Sequence, residues 1–269
     1  MAYTQILYEP DTRDKFVTVT INRPEKLNAL GGVILAELDH AIERASKEAN
    51  ALIITGTGRA FSTGYDLESA NFEMGFEAWR EDVLANQRRL FALWSAPIPT
   101  IAAVNGYALA GGMELMMCCD LAIAAEDARI GEPEVRHASA PPSLMMPWTA
   151  PIRHTRYLMY TGDMISGKEA ATMNLVNKAV PADRLMDEAR RLAAKLARIP
   201  TPAIKFNKLA INQSQLLAGL HNSWLYNAEA AAALHSSPEG ARWFRMLYEE
   251  GLKAFLKARE APFRELDQA

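Results

Sequence analysis

Bulky apolar and polar residues alternate through Phe16 to Ile21 (FVTVTI), the period of a half-buried strand, and Asn22-Arg23-Pro24 then interrupts the run. From Gly32 to Lys47 the apolar positions Val33, Ile34, Leu38, Ala41, Ile42 and Ala45 recur near helical spacing. Glu37, Asp39, Glu43 and Arg44 fall between them, which predicts a helix with one wet face. ALIITG (51–56) predicts a short buried strand closed by glycine. A second round follows: an amphipathic stretch from Phe76 to Trp94, a break at APIPT, a strand at IAAVNG (101–106), and an apolar run from Met113 to Ala124 that leads on to ARIGEPE. Strand, helix, strand, helix in this order predicts an α/β chain with some parallel pairing. Beyond about residue 185 the pattern is helical, over Leu185 to Ile199, Pro202 to Leu217, Leu220 to His235 and Pro238 to Lys257. Ile-Pro-Thr-Pro near residue 200 marks a soft boundary between a core of residues 1–200 and a helical region of residues 201–269.

Composition narrows the class. In 269 residues, 29 Lys+Arg stand against 32 Asp+Glu, so the chain has no basic excess with which to neutralise phosphates, and no nucleic-acid partner is expected. No continuous apolar stretch reaches the length of a membrane span, and the first fifteen residues lack the basic start and apolar middle of a secretory signal. The expectation is a cytoplasmic protein with no membrane partner. Cys118 and Cys119 are adjacent within an apolar run, which reads as two buried thiols. The five histidines show no metal-ligand spacing, so no metal site is expected.

Three segments carry candidate chemistry: NRPEKLNAL (22–30), TGTGRAFSTGYDL (55–67) and AAVNGYALAGGMELMMCCDLAIA (102–124). Each ends a predicted strand in a glycine-rich or polar turn that leads towards a helix, where free N–H groups favour developing negative charge. The bland alternative is that these are tight connections. GYALAGG lacks the spacing of a dinucleotide-binding turn. Glu114 falls in an otherwise apolar run three residues after Gly111, and Glu134 follows twenty residues later in ARIGEPEV. Two carboxyls brought together in an apolar pocket have their proton affinities pushed apart, which suits general acid and base work.

Taken in order, NRPEKLNAL, AFSTGYDL, NGYALAGGMELMMCCDLAIAAEDARIGEPE, TGDMISGKEAATMNLVNKAVP and EEGLKAFLKAREAPF resemble the crotonase (enoyl-CoA hydratase/isomerase) superfamily over nearly the whole chain. The resemblance implies a crotonase-like α/β spiral of ββα repeats, with a helical C-terminal region that mediates assembly into a homotrimer or homohexamer. It implies an acyl-CoA thioester as partner and no cofactor beyond the coenzyme A of the substrate. By position, the backbone N–H groups of Tyr65 and Gly111 form the oxyanion hole, and Glu114 and Glu134 are the catalytic glutamates. Lys26, Leu27, Ala29 and the stretch from Ser62 to Glu68, including Thr63, Gly64, Asp66 and Leu67, border the CoA moiety.

The implied reaction is addition of water to an enoyl-CoA, or its reverse. The alternatives are an isomerase that uses Glu134 alone and a non-catalytic acyl-CoA-binding member. The chain departs from the family after Glu134, where VRHASAPPSLMMPWTAPI replaces a glycine-rich stretch. Pro142 falls where a hydratase glycine offers its N–H to the catalytic water, and proline has none. Leu144, Met145, Met146 and Trp148 would wall the acyl pocket, or simply fill the core. The basic residue that neighbouring subunits lend to CoA falls on Ala258, with Lys257 and Arg259 beside it. Trp224, Leu225, Trp243, Phe244, Leu247, Tyr248 and Phe255 supply the apolar surface expected to drive assembly.

Overall fold

The computed structural model describes residues 2–67 and 75–266. The chain opens with an antiparallel pair, β1 (Ile6–Asp11) and β2 (Phe16–Ile21), and then α1 (Gly32–Glu48), whose Ile34, Leu38, Ala41 and Ala45 are buried as the helical spacing requires. Glu37 on α1 is buried too, and its carboxylate accepts the N–H groups of Thr4, Gln5 and Ile6 together with the Thr4 hydroxyl, which clasps the N-terminal strand to the helix. Three steps of a spiral follow. In the first, β3 (Ala51–Gly56) and β4 (Ala60–Ser62) lead towards α2 (Phe76–Trp94); in the second, β5 (Thr100–Val104) and β6 (Tyr107–Leu109) lead directly into α3 (Gly111–Met117). In the third, β7 (Leu121–Ala125) and β8 (Arg129–Gly131) lead into a short 3-10 helix, Pro133–His137.

Each step places its first strand in a six-stranded sheet, ordered β1-β2-β3-β5-β7 and closed by β10 (Lys178–Val180), all parallel beyond the opening pair. Its second strand enters a smaller sheet, ordered β4-β6-β8 and closed by β9 (Met164–Ser166). The central strands are buried on both faces, which is why ALIITG and TIAAV read as continuous apolar runs. Between the third step and β10 lie α4 (Met146–Thr149), α5 (Ile152–Thr161) and α6 (Gly167–Thr172), the last closed by a capping box between Ser166 and Glu169. The buried alanines Ala189 and Ala193 let α7 (Leu185–Ala197) pack closely over β3, β5 and β7.

The last third is helical, with α8 (Thr201–Leu217), α9 (Leu220–His235) and α10 (Pro238–Glu260). Gly251, at φ 81°, breaks α10 into two segments, and the second turns back onto the 3-10 helix after β8. α9 lies along α2, and α8 is pinned to the core by Lys208, whose Nζ reaches Asp120 at 2.7 Å and the Ile98 carbonyl at 3.0 Å. Of the aromatic and leucine residues expected to drive assembly, Trp224, Phe244, Leu247 and Phe255 are buried within the chain itself. Leu225 and Tyr248 of that set are exposed, and α8 carries a further group of uncovered apolar side chains, with Phe206 70% exposed, Leu209 68% and Leu217 80%. Cys118 and Cys119 are both free and buried. Among the described residues no helix is long and apolar enough to cross a membrane.

Candidate active site

The two glycine-rich turns of the first and second steps meet at the centre of the molecule. NRPEKLNAL folds into a turn in which Leu27 and Asn28 adopt left-handed φ values of 49° and 59°. Asn28, fully buried, closes this turn with its side chain, accepting the Arg23 N–H and donating to the Thr57 and Ala60 carbonyls. The turn is zipped to AFSTGYDL through Thr63 N–H to Leu27, Leu30 N–H to Gly64, Asp66 N–H to Leu30, and the Ser62 hydroxyl to Asn28. An ion pair between Arg23 and Asp66, at 2.6 Å, ties the same two segments.

This framework brings Gly64 against Gly111. A Cβ on Gly64 would lie 2.9 Å from the Gly111 nitrogen, and one on Gly112 would lie 2.2 Å from the Ser62 carbonyl oxygen, so α3 approaches β4 at backbone contact distance. Ala110 caps α3 with φ 51° and ψ −127°, a conformation that a residue bearing a Cβ rarely adopts. It is held there by its N–H to Gly131 and by its carbonyl, which accepts the Glu114 N–H. The strained turn presents the Gly111 N–H at the helix N-terminus. Neither this N–H nor that of Tyr65 donates to another described residue. Two donors left open at adjoining turns, one of them on a helix end, form a site for a developing oxyanion. The Tyr65 ring lies across the Cα of Gly111.

Glu114 projects from the first turn of α3 and is 1% exposed. Its oxygens accept the N–H groups of Ser143 at 3.1 Å and Met145 at 3.3 Å, with Leu144 N–H contributing between them. Burial, and then the neighbouring Glu134, push its pKa up, and these three donors pull it part of the way back. Glu134 sits in the 3-10 helix after β8, buried; burial raises its pKa, opposed by a hydrogen bond with Glu132 and by the charge of Arg259. The structure thus brings Glu114, Glu134, Tyr65 and Gly111 together. Two carboxyls of raised proton affinity beside two oxyanion donors can bind a water, exchange protons with it and stabilise an enolate.

The residues expected to border CoA divide into two groups. Lys26 is exposed, and Leu27, Ala29, Thr63 and Leu67 are half-buried along the rim of the two zipped turns. Ser62, Gly64 and Asp66 are buried beneath that rim, Ser62 and Asp66 being engaged with Asn28 and Arg23. Glu68 lies outside the described residues. Pro142 is buried, and its carbonyl accepts hydrogen bonds from Gln87 of α2 and Asn227 of α9, both shorter than 3 Å. Its position anchors the loop so that the next three N–H groups reach Glu114. Met145 and Met146 are buried in the core, whereas Leu144 and Trp148 are half-buried. Arg259 on the returning segment of α10 approaches Glu134 of its own chain and pairs with Glu260, whereas Lys257 is exposed.

Four participants escape a reading of the sequence. Glu132 has no solvent exposure, although beside Pro133 it reads as part of a polar loop. His137 and His235 are neutral and buried, with burial pushing their pKa values down to about 3 and about 4. His235 holds the loop after the 3-10 helix by accepting from Ala140 N–H and contacting the Ser139 hydroxyl. For Asn28 the one local signal is an Asn within a polar turn, where its side chain bonds to backbone.

A two-sheet spiral with an oxyanion turn and paired buried carboxyls defines a crotonase-fold protein. The family model for enoyl-CoA hydratase/isomerase matches residues 11–266, and the chain belongs to that family. A crotonyl-CoA hydratase of Syntrophomonas wolfei is 33% identical over 98% of this chain and 99% of its own length. The short-chain-enoyl-CoA hydratase of Clostridium acetobutylicum is 32% identical over 91% of this chain and 93% of its own. Among solved structures, an enoyl-CoA hydratase/isomerase from Xanthobacter autotrophicus superposes with a TM-score of 0.91 at 33% identity, covering 97% of this chain and 99% of that one.

Proposed function

We propose that this chain is an enoyl-CoA hydratase that adds water across the double bond of a 2-enoyl-CoA thioester. The observation that carries the reading is the placement of Glu114 and Glu134 beside the open N–H groups of Tyr65 and Gly111. The thioester oxygen accepts from both N–H groups, which draws electrons from C3 and stabilises the enolate, a contribution of about 3–4 kcal/mol per donor. Glu114 takes a proton from the bound water as its oxygen attacks C3, and Glu134 delivers a proton to C2. The product gains one molecule of water in total. Relatives named as crotonyl-CoA and short-chain-enoyl-CoA hydratases support this chemistry.

The loop after Glu134 supports it as well. Pro142 supplies no N–H, but Ser143, Leu144 and Met145 supply three to Glu114, which offset part of the rise in proton affinity that burial and Glu134 impose on it and orient the carboxyl. The chemistry requires no cofactor beyond the CoA of the substrate. We read the chain as cytoplasmic and as a homotrimer or homohexamer, supported by the uncovered apolar face of α8. The test is hydration of crotonyl-CoA, followed by loss of its ultraviolet absorbance. Glu114→Gln and Glu134→Gln should each lower kcat by about 10² to 10⁴ while the protein stays folded. A Glu114→Gln variant as active as the wild type, with Glu134→Gln inactive, would point instead to an isomerase.

A further inference from the structure

Glu132 is fully buried at the N-cap of the 3-10 helix that carries Glu134. An N-cap side chain ordinarily accepts an N–H from the first turn, but this one makes no such bond. Both of its carboxyl oxygens are buried and have no hydrogen-bond donor among the described residues. An ionised carboxylate in that position would lack both water and donors, a severe desolvation cost, so the carboxyl keeps its proton. The O–H then needs an acceptor. Glu134 lies within hydrogen-bonding reach, and its own Oε1 is buried with no other partner. Each carboxyl therefore supplies what the other lacks, one a proton and the other a lone pair.

The remaining titratable groups around the pair do not compete for that hydrogen bond. Glu114 faces it from α3 as a second negative group, and Tyr65 faces it from the oxyanion turn with a phenol that burial keeps neutral. Arg259 faces it from α10 with its charge already paired to Glu260, and His137, in the same 3-10 helix, is held neutral by burial.

We propose that Glu132 is a positioning residue whose protonated carboxyl donates a hydrogen bond to Glu134 and stabilises the carboxylate left when Glu134 gives its proton to C2. The function assigned to Glu134 rests on the hydratase reading; the proton on Glu132 does not. Without this donor, a buried Glu134 beside Glu114 would hold its proton too tightly to transfer it near neutral pH.

The first arm of the test uses the free protein. Infrared difference spectra between wild type and Glu132→Gln at about pH 9.5 should show the carbonyl band of a neutral carboxyl lost in the variant. Absence of that band from the wild type overturns the proposal, whether or not the chain hydrates any thioester. The second arm is the pH dependence of crotonyl-CoA hydration. In Glu132→Met the limb governed by Glu134 should move to higher pH by about one unit, a tenfold change in proton affinity. In Glu132→Gln, whose amide N–H can replace the acid as donor, the limb should stay near its wild-type place. An unshifted limb in Glu132→Met marks mere packing, and a shift to lower pH in both variants marks an ionised Glu132; either result overturns the proposal.

Discussion

Gly112→Ala perturbs the oxyanion site without removing a donor. The added Cβ would meet the Ser62 carbonyl oxygen at 2.2 Å and the Ser62 carbonyl carbon at 2.7 Å, atoms of the backbone of β4 that cannot swing aside. To reach ordinary van der Waals contact, the start of α3 must move about 1 Å away from β4, the response of a close-packed interior to an added methyl group. That movement carries the Gly111 N–H away from the Tyr65 N–H. A misplacement of this size lowers turnover by about 100-fold, because both donors must point at one oxygen as charge develops. The overpacking should lower stability by about 1–3 kcal/mol, visible as a fall in Tm. Initial rates of crotonyl-CoA hydration would be measured beside thermal melts, with Gly32→Ala as the control. A Cβ on Gly32, at the start of α1, meets nothing within 4 Å, so that variant should keep both its rate and its Tm. A folded Gly112→Ala enzyme with the wild-type kcat would refute the claim that contact between α3 and β4 sets the oxyanion geometry.

Two further outcomes follow from burial. His137 is neutral in the folded chain, with its pKa pushed down to about 3, whereas the unfolded chain binds a proton there below about pH 6.5. The wild type therefore loses roughly 1.4 kcal/mol of stability per pH unit from this ring as pH falls from 6.5 towards 3. The stability gap between wild type and His137→Phe should move in favour of the variant over that window in denaturant titrations, and a pH-independent gap would contradict the assignment. On α8, Phe206→Glu combined with Leu209→Glu places charge on the exposed apolar face and should dissociate the proposed trimer or hexamer in light scattering, with the monomer remaining folded.

The helices of this fold were legible because their periodicity is long and their faces are distinct. Phe76–Trp94 and Leu220–His235 form over the residues that the pattern predicts. The four strands of the smaller sheet are each three residues long, too short for any alternation to register. The apolar run from Met113 to Ala124 splits into the end of α3 and β7, with Asp120 held between them by Thr100 and Lys208. Periodicity cannot separate a buried helix from a buried strand in such a run. In the site, Glu114 stood out as a carboxylate among apolar residues and Glu134 through its place in a family motif. Glu132 did not, because a charged residue before proline looks like solvated loop until β8, the 3-10 helix and α10 close over it.

The central claim is that the paired carboxyls of Glu114 and Glu134 add water to an enolate precursor held by Tyr65 and Gly111. Its most direct test is the mass of the product formed from crotonyl-CoA in heavy-oxygen water. The predicted product is heavier than the substrate by one molecule of that water, with the heavy oxygen on C3, and its rate of formation falls by about 10² to 10⁴ in Glu114→Gln. A product of unchanged mass with its double bond moved, or the same heavy product formed at full rate by Glu114→Gln, would contradict the account.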